Sequence, residues 1–140
     1  MPRVLRVYCG TSVFGGCFDE EFAEASNALM DLFRRETHRV VVSRLTLVEL
    51  AGAPDRVQAI LNGMPRRIVS ILPISQEALE LRKAYLEAGV VEVSSRRDAL
   101  HIAAATVARV DLIVSWNFKH IVNFERISGY HGVNRIHGLP

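Results

Sequence analysis

Lysine is nearly missing from this 140-residue chain: Lys83 and Lys119 are the only two among 17 cationic residues, and the other 15 are arginine. Cysteine is as scarce. Cys9 and Cys17 are the only pair, and they form neither a disulfide framework nor a C-x-x-C metal or redox motif. No run approaches the roughly 18 consecutive apolar residues that a membrane span requires, so no membrane partner is expected. The first ten residues scatter Arg3, Arg6 and Gly10 among apolar side chains and lack the continuous apolar stretch of a signal peptide, so a cytoplasmic location is expected. Internal repeats, low-complexity tracts and linkers rich in Pro, Gly or Ser are absent. Charge of one sign is also in short supply. The balance of 17 − 15 = +2 is too small to mark a nucleic-acid protein by itself.

What is present is ordinary globular material: 49% hydrophobic and 23% charged residues. The length predicts one domain over residues 1–140, with a core large enough to need no staples. Guanidinium groups grip phosphate in a bidentate fork, so the arginine bias suits an RNA or DNA partner. A GC-rich genome produces the same bias, which therefore assigns nothing alone.

Short β-branched runs alternate with helical patterns. Val4–Tyr8, Arg39–Val42, Ile68–Leu72 and Leu112–Val114 read as strands. Val40–Val42 is apolar on both faces, as in a covered parallel sheet. Phe18, Phe22, Ala25, Leu29 and Leu32 follow steps of three and four, which predicts an amphipathic helix from about Asp19 to Thr37. Leu45, Val48 and Leu50 predict a shorter helix ending near Gly52 and Pro54. Ser75 can cap a helix that stops around Gly89. Ser95 can cap another through Ala108, apolar on nearly every face and so expected to be buried. This order predicts an α/β fold: a three-layer α/β/α sandwich with a mainly parallel central sheet.

Open α/β sheets bind ligands at the carboxyl ends of their strands, and that rule filters the polar residues. Gly10, Thr11 and Ser12 follow the first strand; Ser43 follows the second, with Glu49 about two turns further on. Ser115, Trp116 and Asn117 follow the last strand, and Asp98 opens the helix running back toward that strand. Glu49, Asp98 and Asn117 are thus expected to converge on one edge from separate segments. Converging carboxylates need a cation or a raised pKa, and hard oxygen donors suit Mg²⁺ or Mn²⁺ with substrate phosphate. Such a cation polarises a phosphodiester and generates hydroxide for attack. Asp111 precedes the last strand, at the opposite edge, where a turn or helix-end role is expected.

Other constellations fail. The stretch Gly10–Gly15 opens like a phosphate loop, but Gly16 and Cys17 stand where Lys and Ser or Thr are required. An unrelated nucleotide-binding domain is weakened accordingly. His101 and His120 read as structural histidines. Ser12 has no His–Asp pair at recognisable spacing, so nucleophilic catalysis is unsupported.

Taken in order, four stretches resemble the motifs of PIN-domain proteins. Val7–Gly16 resembles the opening strand and its Asp-Thr-Ser. Ser43–Leu50, with Glu49, is similar to the second acidic motif, Asp98–Ala103 to the third and Leu112–Asn117 to the fourth. The resemblance spans the chain. It implies a metal-dependent ribonuclease fold with Mg²⁺ or Mn²⁺ held at the sheet edge. Many single-domain members are VapC-type toxins that cleave RNA, form homodimers and are neutralised by an antitoxin protein. Carried over, Glu49 and Asp98 are the acidic ligands, while Thr11, Ser12 and Ser115 support metal or substrate phosphate. Of the exposed arginine pairs, Arg96-Arg97 adjoins Asp98 and is the favoured RNA contact.

Two positions depart from the pattern. Gly10 replaces the first acid, directly before Thr11-Ser12, and Asn117 offers a neutral amide in place of the fourth. Two carboxylates remain among four family positions, so weak metal binding and an impaired endoribonuclease are expected. The competing expectation is a PIN-like module without chemistry, holding RNA or a protein partner.

Overall fold

The computed structural model describes residues 3–92, 95–116 and 124–140. Among them, four strands form one all-parallel sheet in the order β3-β2-β1-β4: β1 Leu5–Cys9, β2 His38–Ser43, β3 Val69–Leu72 and β4 Leu112–Val114. Val7 pairs with Val40 and with Leu112, and Val42 with Ile71. Seven helices accompany them: α1 Thr11–Gly16, α2 Ala23–Arg34, α3 Arg44–Ala51, α4 Asp55–Asn62, α5 Gln76–Glu87, α6 Arg96–Val107 and α7 Phe124–Ile136. The all-parallel sheet and the alternation of strands and helices are those of the three-layer α/β/α class that the sequence predicts. No described helix is long and apolar enough to cross a membrane.

Contacts divide the chain into two compact units. The first runs to Leu72 and regains Val110–Trp116; the second holds Pro73–Arg109 and the chain after Trp116.

In the first unit, Val40, Val41 and Val42 are fully buried, as a strand covered on both faces requires. One face of β1 and β2, carrying Val7, Cys9, Val40 and Val42, belongs to a core completed by Val13 and Phe14 of α1, Met30 and Phe33 of α2, Leu50 of α3, and Val57 and Leu61 of α4. Burying one such large side chain contributes about 1.5–3 kcal/mol. Asp111 accepts a hydrogen bond from the Arg6 backbone N–H at 2.8 Å and pairs with the Arg3 guanidinium. It ties the entry of β4 to the start of β1, a structural role at the edge opposite the strand ends.

In the second unit, α5 packs on α6 and on α7. Tyr85 and Tyr130 meet edge to face with centroids 4.7 Å apart, and the Tyr85 hydroxyl donates to Asn134 Oδ1. Every residue of α6 from Ala99 to Thr106 is buried, as its all-round apolar pattern predicts.

Three expectations shift. The helix expected from about Asp19 begins only at Ala23, because Asp19 closes a turn: its carboxylate accepts from the Glu21 N–H at 2.8 Å and its carbonyl from the Phe22 and Ala23 N–H groups. Phe18 therefore lies outside α2 and is exposed, with the Arg56 guanidinium 4.9 Å above its ring. Ser95 occupies the N-cap position of α6 without a side-chain cap bond. The helices α1, α4 and α7 were not legible in the pattern.

Candidate functional site

The first unit builds a polar rim where β1, β2 and β4 end. Strand β1 stops at Cys9, and the Gly10 N–H donates to the Val114 carbonyl at 2.9 Å, extending the junction with β4 by one bond. Gly10 has φ −66° and ψ 157°, an ordinary extended conformation open to any residue. A Cβ added there lies 3.3 Å from Ser115 Oγ and 3.6 Å from the Val114 carbonyl. A Cβ at this position needs only a small give in the Ser115 side chain.

Helix α1 starts at once, and its first residue, Thr11, donates its hydroxyl proton to Glu49 Oε1 at 2.6 Å. That length is the one expected between a hydroxyl and a carboxylate. Glu49 is partly buried on α3, and α3 is itself fixed by a buried network. Ser43 caps it and forms a reciprocal capping box with Thr46. The Tyr8 hydroxyl lies 2.8 Å from Ser43 Oγ and 3.5 Å from Thr46 Oγ1. Burial pushes the Tyr8 phenol above its usual pKa, so it stays neutral in this network.

On the other side of Gly10, Ser12 accepts a hydrogen bond from the Trp116 backbone N–H at 3.0 Å, and its hydroxyl lies 3.4 Å from Ser115 Oγ. The Trp116 indole N–H donates to the fully buried Ser26 at 2.7 Å. The Trp116 ring stacks on Phe22, with centroids 5.2 Å apart and planes 4° from parallel.

Of the residues singled out in the sequence, the structure brings Thr11 to Glu49 and Ser12 to Ser115, with Gly10 against Ser115. Asp98, Arg96 and Arg97 occupy the first turn of α6 in the second unit; both arginines are exposed and Asp98 partly so. His101 is buried in the same helix. Asn117 and His120 lie outside the described residues. The Trp116–Phe22–Ser26 arrangement and the Tyr8–Ser43–Thr46 network went unnoticed in the sequence. Only the Trp beside Ser115 offered a signal for either.

Among the described residues, no three His, Cys, Asp or Glu side chains gather as a metal-binding group. The donors of the rim do not fit a resident divalent cation. Gly10 brings no side-chain oxygen, Thr11 engages one Glu49 oxygen, and Ser12 and Ser115 offer only hydroxyls, whereas Mg²⁺ and Mn²⁺ are held through carboxylates.

No protein-family model matches the chain, and no curated protein matches its sequence. Among solved structures, a chain in the crystal structure of VapBC2 from Rickettsia felis, bound to a DNA fragment from their promoter, is similar. The TM-score is 0.56 at 19% sequence identity, over 84% of this chain and 93% of that one. The likeness is one of fold, and it supports a PIN-like architecture.

Proposed function

We propose, on the premise of a PIN-like fold, that this chain is an endoribonuclease scaffold that engages RNA and whose hydrolytic capacity is impaired at Gly10. One observation carries the proposal: the rim around Gly10 keeps its parts. Glu49 is oriented by Thr11, two hydroxyls flank the gap, and Gly10 itself sits in a conformation that would hold an aspartate without backbone strain.

In this proposal Thr11 fixes the rotamer of Glu49, and Ser12 and Ser115 offer hydroxyls to a phosphate of the strand. Asp98 is the acid of the third family motif and Asn117 a neutral amide at the fourth position. Arg96 and Arg97 provide guanidinium groups for RNA phosphates. Mg²⁺ or Mn²⁺ is the cofactor that the resemblance implies, and it supplies electrophilic activation of the phosphodiester when bound. The rim donors around Gly10 do not by themselves fit it, so no step of this chain is assigned to it.

The similar structure is of VapBC2 bound to a DNA fragment from their promoter, and by that likeness an antitoxin protein partner and a homodimer are part of the same proposal.

The test is cleavage of single-stranded RNA, with Mg²⁺ or Mn²⁺, by the chain and by its Gly10→Asp variant. The expected result is little or no cleavage by the first and clear cleavage by the second. Equal cleavage by both, or none by either, overturns the assignment of Gly10. A module without chemistry is the second reading, favoured by Gly10 in place of the first family acid. In a thermal-shift titration with Mn²⁺, the nuclease proposal expects a rise in Tm for Gly10→Asp alone, because an ion that binds only the folded state stabilises it.

A further inference from the structure

In the first unit, arginine gathers at the amino-terminal ends of the strands. Arg3 and Arg6 stand at the start of β1, Arg39 near the start of β2, and Arg66 and Arg67 just before β3. Arg35 closes α2, the helix that leads into β2. The strands are parallel, so this edge lies opposite the rim of Thr11 and Glu49, about 20 Å away along the six residues of β2.

The edge forms a connected row. Asp111 accepts from the Arg6 backbone N–H and pairs with the Arg3 guanidinium. Arg6 and Arg39 are directly opposite each other in the β1–β2 ladder, where like charges on one face are destabilising. Glu36, in the turn from α2 to β2, is gripped by Arg67 through Nε at 2.5 Å and Nη2 at 3.1 Å. The remaining charge is unanswered. Arg35, Arg39 and Arg66 are exposed, and their guanidinium groups form no hydrogen bond or ion pair with another described residue. The α2 dipole favours a cation at its C-terminus, which accounts for Arg35 but for neither Arg39 nor Arg66.

We infer that this arginine edge is a nucleic-acid-binding face, which holds the phosphate backbone without reading its sequence. Guanidinium groups match phosphate oxygens in a two-pronged geometry, and such contacts supply sequence-independent binding. A protein partner is usually met through aromatic anchors. The segments that carry these arginines, Arg3–Arg6, Arg34–Arg39 and Pro65–Arg67, hold no Phe, Tyr or Trp. A bound polyanion also relieves the repulsion between Arg6 and Arg39. The inference goes beyond the rim chemistry proposed above, because it places a separate contact at the far end of the same strands.

The experiment follows binding of the intact chain to a labelled single-stranded RNA and to a labelled DNA duplex by anisotropy. It is run without divalent cation and over a range of salt concentrations. The combined substitutions Arg35→Gln, Arg39→Gln and Arg66→Gln flatten the slope of log K against log salt. The expected change is about 2 on the single strand and about 3 on the duplex, the share of three phosphate contacts. A charge-matched control, Arg56→Gln with Arg82→Gln and Lys83→Gln, keeps the parent slope. The Tm of the first variant equals or exceeds that of the parent, since it loses like-charge crowding and no described contact; a structural role would lower it.

Flattening on one nucleic acid alone assigns the face to that one. An unchanged slope in the folded variant, or equal flattening by the control, overturns the inference and leaves the RNA contact of Arg96 and Arg97 standing. Poly-glutamate that displaces the labelled RNA as well as unlabelled RNA does, at equal charge, overturns it in favour of an acidic protein segment. Absence of binding to either nucleic acid overturns this face and the RNA reading together.

Discussion

Thr11 and Glu49, 38 positions apart in the chain, are joined by a hydroxyl-to-carboxylate hydrogen bond of 2.6 Å. The bond runs from the first residue of one helix to the last turn of another, so two strand ends must be correctly placed before it can form. It gives Glu49 a defined orientation.

That bond makes Thr11 testable apart from Glu49. In the Gly10→Asp background, Thr11→Val keeps the shape and removes the donor, and it should lower the initial rate of RNA cleavage by roughly tenfold. That is the equivalent of one hydrogen bond to a charged group, about 1.5 kcal/mol. Thr11→Ser retains the donor and should stay within a few-fold of its parent. A full rate for Thr11→Val shows the bond to be structural only.

Asp111 sets a pH dependence of stability rather than of activity. The Arg6 backbone N–H, and then the Arg3 guanidinium, hold its carboxyl below the usual range. Because the folded pKa is depressed, the stabilisation is complete above the unfolded value near 3.9 and is lost as pH falls through the lower folded value. Unfolding midpoints measured from pH 7 down to pH 2 should therefore drop more steeply for the parent than for Asp111→Asn. The variant should start lower at neutral pH. Parallel curves would remove Asp111 from the account.

Gly16 is the steric condition for the Trp116 seat. Gly16→Ala forces a Cβ against Ser26 Oγ and the indole edge, so a loss of about 1–3 kcal/mol in unfolding free energy is expected from overpacking. A red shift of tryptophan emission should accompany it as the ring is pushed toward water. An unchanged midpoint and spectrum would mean that the seat is looser than its distances state.

Much of this fold was legible because hydrophobic period and strand composition agree. Val40–Val42 announced a strand covered on both faces, and the Ala-rich run of α6 announced a buried helix. The helix α4 is hard to read from sequence because Pro54, following Gly52, marks the end of α3 as readily as the start of a new helix. It stands at the N-cap of the next helix, with φ −56°, where a proline costs nothing in hydrogen bonding. The helix α7 carries Gly129 and Gly132 and shows almost no apolar stripe, so its pattern said nothing. Strand-end positions picked out Gly10, Thr11, Ser12 and Ser115 without coordinates. They could not show that Thr11 serves Glu49, nor that Trp116, Phe22 and Ser26 meet. Those contacts join residues up to 94 positions apart, from Phe22 to Trp116, and local sequence carries no record of them.

Cys9 and Cys17 are buried in the core of the first unit, and burial pushes both thiols above their ordinary pKa. Nucleophilicity resides in the thiolate, so these sulfurs are doubly shielded from alkylating reagents, by lack of access and by lack of charge. The rate at which such a reagent labels them under native conditions is thus a clock for the transient opening of that unit, supplied by the protein itself with no probe attached.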